Sequence, residues 1–303
     1  MWWWWWACTA PVPEAPRAGS FTLLTYNVQG LPAGLTDAGR PPEERMPRIS
    51  PLLGAYDVVG LQEDFDASLH AQLVAEAPHA GQWWFSEPLD ASRVYGAGLA
   101  SLSDLPAVAY ATAYYSDCSG VFDGASDCLA SKGFQRVSLA LGDAVLDVYN
   151  THHEAGGGPE DDAARASQVA EVIADIDTRP ASHAVVVLGD TNLRPSDPED
   201  AAALAQYAAV GLVDACDAVA CDEPDHIDRL LVRGSPTVAL TVEDWWRATE
   251  FIDESGADLS DHPAIGARVR WAAASGSDAR IRAAGDTGAA IEKNRPTVWK
   301  LEP

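Results

Sequence analysis

Basic residues are scarce in this sequence of 303 residues: 20 Lys and Arg stand against 45 Asp and Glu, for a net charge of −25. There is no basic run, and duplex binding rests largely on Lys and Arg contacts to phosphate, so the balance disfavours a dedicated binder of DNA or RNA. The plainer reading of the same acidity is that it keeps an exported protein soluble. Past the first ten residues no apolar run is long enough to span a bilayer, and the body of the chain reads as soluble. No internal repeat is evident. Cysteine is sparse, with five residues and no C-x₂-C spacing of the kind a zinc knuckle needs. With Cys8 set aside, Cys118/Cys128 and Cys216/Cys221 form two short-range pairs, each around a loop rich in Gly, Asp or Ala. They read as disulfides of an exported protein, with four free thiols as the rival reading.

Apolar residues make up 47% of the chain, enough for a sizeable core. The first residues are unusual. Trp2 to Trp6 precede Ala7-Cys8-Thr9-Ala10 and a Pro-rich stretch to Pro16, like the end of a bacterial lipoprotein signal but without a basic start and with a short apolar stretch. The expectation is a secreted or extracytoplasmic protein, with lipid anchoring through Cys8 as one form of it. Residues 1–19 are set apart as a signal-like remnant and tether, 20–271 as the main folded domain, and 272–303 as a tail rich in Ala, Gly, Ser and Asp. Within the body, Phe21–Asn27, Asp57–Gln62, Ala144–Asn150, Ala184–Leu188, Arg229–Val232 and Ala264–Trp271 read as strands. Ala163–Asp177 and Pro198–Ala209 read as helices, the second with Pro in its first turn. Strands interleaved with helices, some strands close together in sequence, predict a mixed-sheet α/β sandwich.

The informative residues stand where these strands end. Asn27 closes the first strand, Glu63 follows the second, His152 follows the third, and Asp190 and Asn192 follow the apolar run ending at Leu188. Asp228 and His262 sit in Ile227-Asp228 and Ser260-Asp261-His262. One such residue is a turn former; a series of them at successive strand ends puts ionisable and amide groups on one rim of a sheet, where ligand sites gather. The residue types suit hydrolysis of a phosphodiester. Glu63, helped by Asn27, offers hard oxygens to Mg²⁺ or another divalent cation. His262 suits a general base, with Asp228 behind it to fix its tautomer and Asp261 as the rival partner. Asp190 and Asn192 would orient water and phosphoryl oxygens, and His152 would donate a proton or hydrogen bond. Alternation along the strand puts Asn150 and His152 on one side, favouring His152 over His153. Asp64 reads as a solvated loop acid, and His70, His79, His183 and His226 as surface or satisfied histidines.

Asn-Val-x-Gly, Gln-Glu, Asn-x-His, Gly-Asp-x-Asn, Ile-Asp and Ser-Asp-His, in this order from Thr25 to Trp271, resemble the endonuclease/exonuclease/phosphatase superfamily. That group includes pancreatic-type deoxyribonuclease, abasic-site endonucleases, inositol polyphosphate phosphatases and bacterial sphingomyelinases. The resemblance implies a four-layer α/β sandwich of two packed mixed β-sheets, deoxyribonuclease I-like. It also implies Mg²⁺ held chiefly by Glu63, base action by His262 paired with an acid, and phosphate and water positioning by His152, Asp190 and Asn192. His153 and Asp64 depart from it, since the family usually has apolar residues there.

Asp127 and Lys132, five positions apart, are similar to a pair beside the pocket of sphingomyelinase-like members, where Lys132 would neutralise a phosphate oxygen. The competing reading is a loop salt bridge of little energetic value. Trp83-Trp84 and Trp245-Trp246 are candidates for membrane-surface contact, although neighbours in a strand face opposite ways and one of each pair belongs in a core. The expectation is thus a monomeric phosphodiesterase acting on a phospholipid or sphingomyelin-type head group. An extracellular Mg²⁺-dependent nuclease and a catalytically silent surface binding module are the alternatives.

Overall fold

In the first strand, β1 (Ala18–Asn27), successive side chains leave on opposite faces: Leu23 joins one core and Leu24 another. The same division recurs in β8 (Ala184–Asp190), where Val186 and Leu188 face one way and Val185 and Val187 the other. Strands apolar on both faces must be covered on both. The computed structural model, which describes residues 16–31, 40–120, 128 and 130–274, shows how.

Six strands form one mixed sheet. Its members are β1, β2 (Val58–Gln62), β3 (Gly81–Phe85), β4 (Leu99–Ser103), β11 (Val238–Arg247) and β12 (Ile265–Ala273), in the order β11-β12-β1-β2-β4-β3. A second six-stranded sheet holds β5 (Ala107–Tyr114), β6 (Gly133–Leu141), β7 (Ala144–His152), β8, β9 (Val213–Asp214) and β10 (Asp228–Arg233), in the order β5-β6-β7-β8-β10-β9. Their facing sides bury Phe21, Leu23, Val137, Val148, Val186, Leu188 and Val269 in a shared core. Outside the first sheet, Leu24 and Tyr26 pack on α1 (Pro42–Ile49) and α2 (Ala67–Leu73). Outside the second, Tyr149, Val185 and Val187 pack on α3 (Pro159–Thr178) and α4 (Pro198–Ala209). The result is the expected four-layer sandwich.

Local chemistry starts the helices where they are needed. Asp66 caps α2 by accepting from the Ser68 and Leu69 amides, and Asp197 caps α4 through Glu199 and Asp200. Asp214 caps the short α5 (Ala215–Val219) through Cys216. The four described cysteines pair as Cys118–Cys128 and Cys216–Cys221. Cys8 and Asp127 lie outside the described residues, and no helix among those described is long and apolar enough to cross a membrane.

Two features bear on the site. Each sheet has one parallel pair at its centre, β1 with β2 and β7 with β8. Parallel neighbours end on the same edge, so the residues after them are brought together. Between the sheets, directly below that edge, runs a polar seam: Gln62 Nε2 donates to Asn150 Oδ1 at 2.8 Å, Asn150 Nδ2 donates to Ala100 O at 2.8 Å, and Ser101 Oγ donates to Gln135 Oε1 at 2.8 Å. Gly60 allows this approach, since a Cβ there would stand 1.9 Å from Leu188 Cδ1.

Candidate active site

Strand register assembles the site. In the parallel pairing of β7 with β8, His152 is opposite Asp190; in the antiparallel pairing of β8 with β10, Asp228 is opposite Asp190. Asp190 therefore sits between them, at the head of the middle strand. From the facing sheet, Asn27 ends β1 opposite Gln62, and Glu63 follows directly. Three residues here carry left-handed backbone: Gln29 (φ 47°), Glu63 (φ 58°) and Asn192 (φ 52°). Such residues persist only where surrounding contacts hold them, and they cluster at functional sites.

Asn27 joins the two sheets. Its Nδ2 donates to Glu63 Oε1 at 2.9 Å and to Asp190 Oδ2 at 3.0 Å, while its Oδ1 accepts from the Gln29 amide at 3.0 Å. Asp190 Oδ2 lies 3.6 Å from His262 Nε2 and 3.5 Å from His152 Nε2. A chain of polar contacts thus runs from Glu63 through Asn27 and Asp190 to His262, and the two groups on which the expectation chiefly rested share one site. Asn192 also enters it, donating its amide to Asp190 Oδ1 at 3.1 Å and its side chain to His153 O at 3.3 Å.

The partner of His262 is Asp228, whose Oδ2 and Oδ1 stand 2.9 and 3.2 Å from Nδ1. Asp261 is instead held by Gln29 Nε2 at 2.8 Å and by Ser260 Oγ at 3.2 Å. Burial alone would pull the His262 imidazole down, but the Asp228 hydrogen bond and the charges of Asp190, Asp228 and Asp261 lift it to about 10. Burial and the Asp228 charge push Asp190 up to about 6 against the pull of His262. Burial, with the Asp190 charge, likewise raises Glu63 above the usual carboxylate range.

His152 and His153 diverge as alternation predicts. His152 faces the site; His153 faces α4, its ring stacked on Tyr207 at 6.3 Å. Lys132, one of three lysines in the sequence, is 5% exposed. Its ammonium donates to His153 O at 2.6 Å and lies 3.2 Å from His152 Nε2. An ammonium only donates, so Nε2 accepts and the His152 proton is on Nδ1. Burial and the Lys132 charge hold the His152 imidazole well below its ordinary value, which makes it a neutral hydrogen-bonding group at pH 7.

Asp64 differs from its expected place. It is 1% exposed, not solvated, and its Oδ2 lies 2.5 Å from His70 Nδ1. The other three histidines each have a partner: Tyr56 O for His79 Nε2, Asp147 for His183, and Glu223 O and Asp214 for His226. Trp83 and Trp245 pack on the core between the sheets and Trp84 and Trp246 on the helix-facing core, so all four contribute to packing. Arg45 was not singled out from the sequence. It is fully buried and donates to Val28 O, Gln29 O and Leu259 O, each at 2.8 Å, which ties the end of β1 to the segment carrying Ser260 and His262. The available signal was its spacing, since Pro42, Arg45, Met46 and Ile49 make one buried stripe of α1 with a cation inside it.

The donor set fits a hard cation. Glu63 and Asp190 are acids with raised pKa values, both held on one amide nitrogen, and carboxylate oxygens of this kind suit Mg²⁺. Ligand atoms of Asp190, Asp228 and His262 also lie within 4.8 Å of one another. However, Asp228 turns both oxygens toward His262 Nδ1, an arrangement that orients an imidazole rather than leaving oxygens open to an ion.

The sequence profile of the Endonuclease/Exonuclease/phosphatase family matches residues 24–262. The chain is 32% identical over 275 residues to a sphingomyelinase of Mycobacterium tuberculosis, a match covering 82% of this chain and 52% of that protein. The chain thus spans about half the length of the curated relatives it matches. Among solved structures, sphingomyelinase C from Streptomyces griseocarneus superposes with a TM-score of 0.62 at 23% identity, covering 82% of this chain and 99% of that one. A beta toxin variant from Staphylococcus aureus with bound magnesium ions superposes with a TM-score of 0.61 at 19% identity, with the same coverage. At these identities the structures attest the fold.

Proposed function

The chain belongs to the endonuclease/exonuclease/phosphatase family, and from that premise we propose that it is a divalent-metal-dependent phosphodiesterase acting on a phospholipid of sphingomyelin type. The observation that carries the reading is the Glu63–Asn27–Asp190–His262 chain, which joins an oxygen-rich ligand position to an imidazole backed by Asp228.

Glu63 would hold the cation, with Asn27 and Asp190 beside it. When bound, the ion would offset the carboxylate charge and polarise a phosphoryl oxygen, which an anionic diester needs before a nucleophile approaches. Asp228 fixes His262 Nδ1 and leaves Nε2 toward Asp190 and the cleft, so Nε2 is the atom that takes a proton from water. A base works best with a pKa near the working pH. The Asp228 hydrogen bond and the carboxylate charges together raise His262, so offsetting those charges would bring it back toward that range. Lys132 supplies a cationic donor for the non-bridging phosphate oxygens, neutral His152 holds its ammonium there by accepting through Nε2, and Asn192, held on Asp190 and His153 O, orients the water.

The phospholipid assignment is supported by the sphingomyelinase relative and by the acidic surface, which suits a choline-type head group better than a polyanion. The exposed side chains of Leu89 and Val94 lie on the segment tied to Ser131, whose Oγ accepts from the Leu89 amide at 2.8 Å, so a bilayer contact there falls beside Lys132. Two disulfides and the sequence around Cys8 support an extracytoplasmic location.

A panel of sphingomyelin, phosphatidylcholine, inositol phosphates and plasmid DNA, each with and without EDTA, tests the proposal. EDTA-sensitive release of phosphocholine from sphingomyelin is expected. Turnover of DNA alone would overturn the substrate class, and turnover unaffected by EDTA would overturn the metal dependence.

A further inference from the structure

We infer that His70 and Trp84 are positioning residues for Glu63, acting through the peptide that joins it to Asp64; this rests on the reading of Glu63 as the metal ligand. The Glu63 side chain has a hydrogen bond to Asn27 Nδ2, so its direction depends heavily on its own backbone. That backbone is left-handed, a conformation non-glycine residues keep only under constraint.

The constraint is visible on both sides of the peptide. Glu63 O accepts from the Gly30 amide at 2.8 Å, and a Cβ at Gly30 would stand 2.6 Å from that oxygen. Every polar group of Asp64 is then engaged. Its amide donates to Gly98 O at 2.9 Å, its carbonyl accepts from Trp84 Nε1 at 2.8 Å, and its carboxylate meets His70 Nδ1 at 2.5 Å. The His70 ring lies flat on Trp84, with centroids 4.2 Å apart and planes 5° from parallel. Residues from β3 and α2, neither carrying a proposed ligand, thus close on the residue next to Glu63. The acid at position 64 is the departure from the family pattern noted in the sequence, and its partner His70 is supplied by the chain itself. Groups that orient a ligand in this way typically govern about 10–100-fold in metal affinity.

The test is calorimetric titration of the metal-free protein with MgCl₂. Trp84→Phe keeps a ring face for His70 but removes the Nε1 donor; His70→Ala removes the partner of Asp64; His70→Gln restores a side-chain donor. The first two are expected to weaken Mg²⁺ binding by about tenfold or more, with His70→Gln recovering part of the loss. If Glu63→Gln abolishes binding while Trp84→Phe and His70→Ala keep the wild-type Kd, the inference is wrong. If Glu63→Gln itself binds like wild type, the ligand assignment fails instead. Should His70→Ala not fold, Trp84→Phe decides.

Discussion

His262 concentrates the chemistry, and its charge state leads to two predictions at the scale of single residues. His262→Ala should lower kcat by about 10²–10⁴-fold, the usual contribution of a general base, with an unchanged circular dichroism spectrum. The same variant reports a proton linkage. The folded-state pKa, about 10, is above the ordinary 6.5, so the folded protein holds this proton more tightly than the unfolded chain. That stabilisation is complete below pH 6.5 and drains as pH rises toward 10. In EDTA, the melting temperature of wild type relative to His262→Ala should therefore fall across this window; a constant difference would refute the linkage. Asp190 has the opposite consequence. Its pKa is raised to about 6, so its ionised form at neutral pH is a burden to the metal-free fold. Asp190→Asn should abolish activity while raising the metal-free melting temperature above pH 6, at ~2–4 °C per kcal/mol for a chain of this size.

At the scale of elements, the active edge depends on β7 and β8 lying close enough for His152 to meet Asp190. Gly189 permits this. Its φ is 149°, and a Cβ there would be 1.9 Å from Thr151 O, a backbone atom with little room to move. Gly189→Ala should destabilise the protein by about 1–3 kcal/mol in urea melts, and should impair turnover beyond what the lost stability accounts for. Element by element, legibility followed burial. β1, β2, β7, β8, β10 and β12 could be read because β-branched and apolar residues run through them, and α4 falls on the residues expected of it, Pro198–Ala209. β4 has the small, partly polar sequence Leu-Ala-Ser-Leu-Ser, and its serines are buried because Ser101 bonds to Gln135 in the inter-sheet seam and Ser103 to the backbone of Leu105. β11 carries Glu243 and Asp244 in mid-strand, and α1 contains Pro47 and a buried arginine, all of which blur the expected periods.

At the scale of the whole molecule, the two sheets contribute unlike halves of one site. The first brings Asn27, Glu63 and, beyond β11, His262; the second brings Lys132, His152, Asp190, Asn192 and Asp228. A cation gripped by the folded site and not by the unfolded chain must stabilise the assembly. Mg²⁺ at 100 times its Kd should add about 2.7 kcal/mol, visible as a rise in melting temperature that EDTA reverses and Glu63→Gln lacks. No shift in wild type would argue against a metal site.

The sequence by itself determined the cast and its approximate stage. Imidazoles, acids and amides at the ends of apolar strands are chemically unlike their surroundings, and strand alternation alone sends His152 and His153 to opposite faces. Tertiary structure decided the partnerships. Asn27 reaches Asp190 across 163 residues of chain, Asp228 rather than Asp261 backs His262, and Asp64 is buried against His70. Such choices turn on sheet register and on distances of a few ångströms between segments far apart in sequence. The proton affinities follow from the same geometry, because burial and neighbouring charge exist only once the sheets have closed.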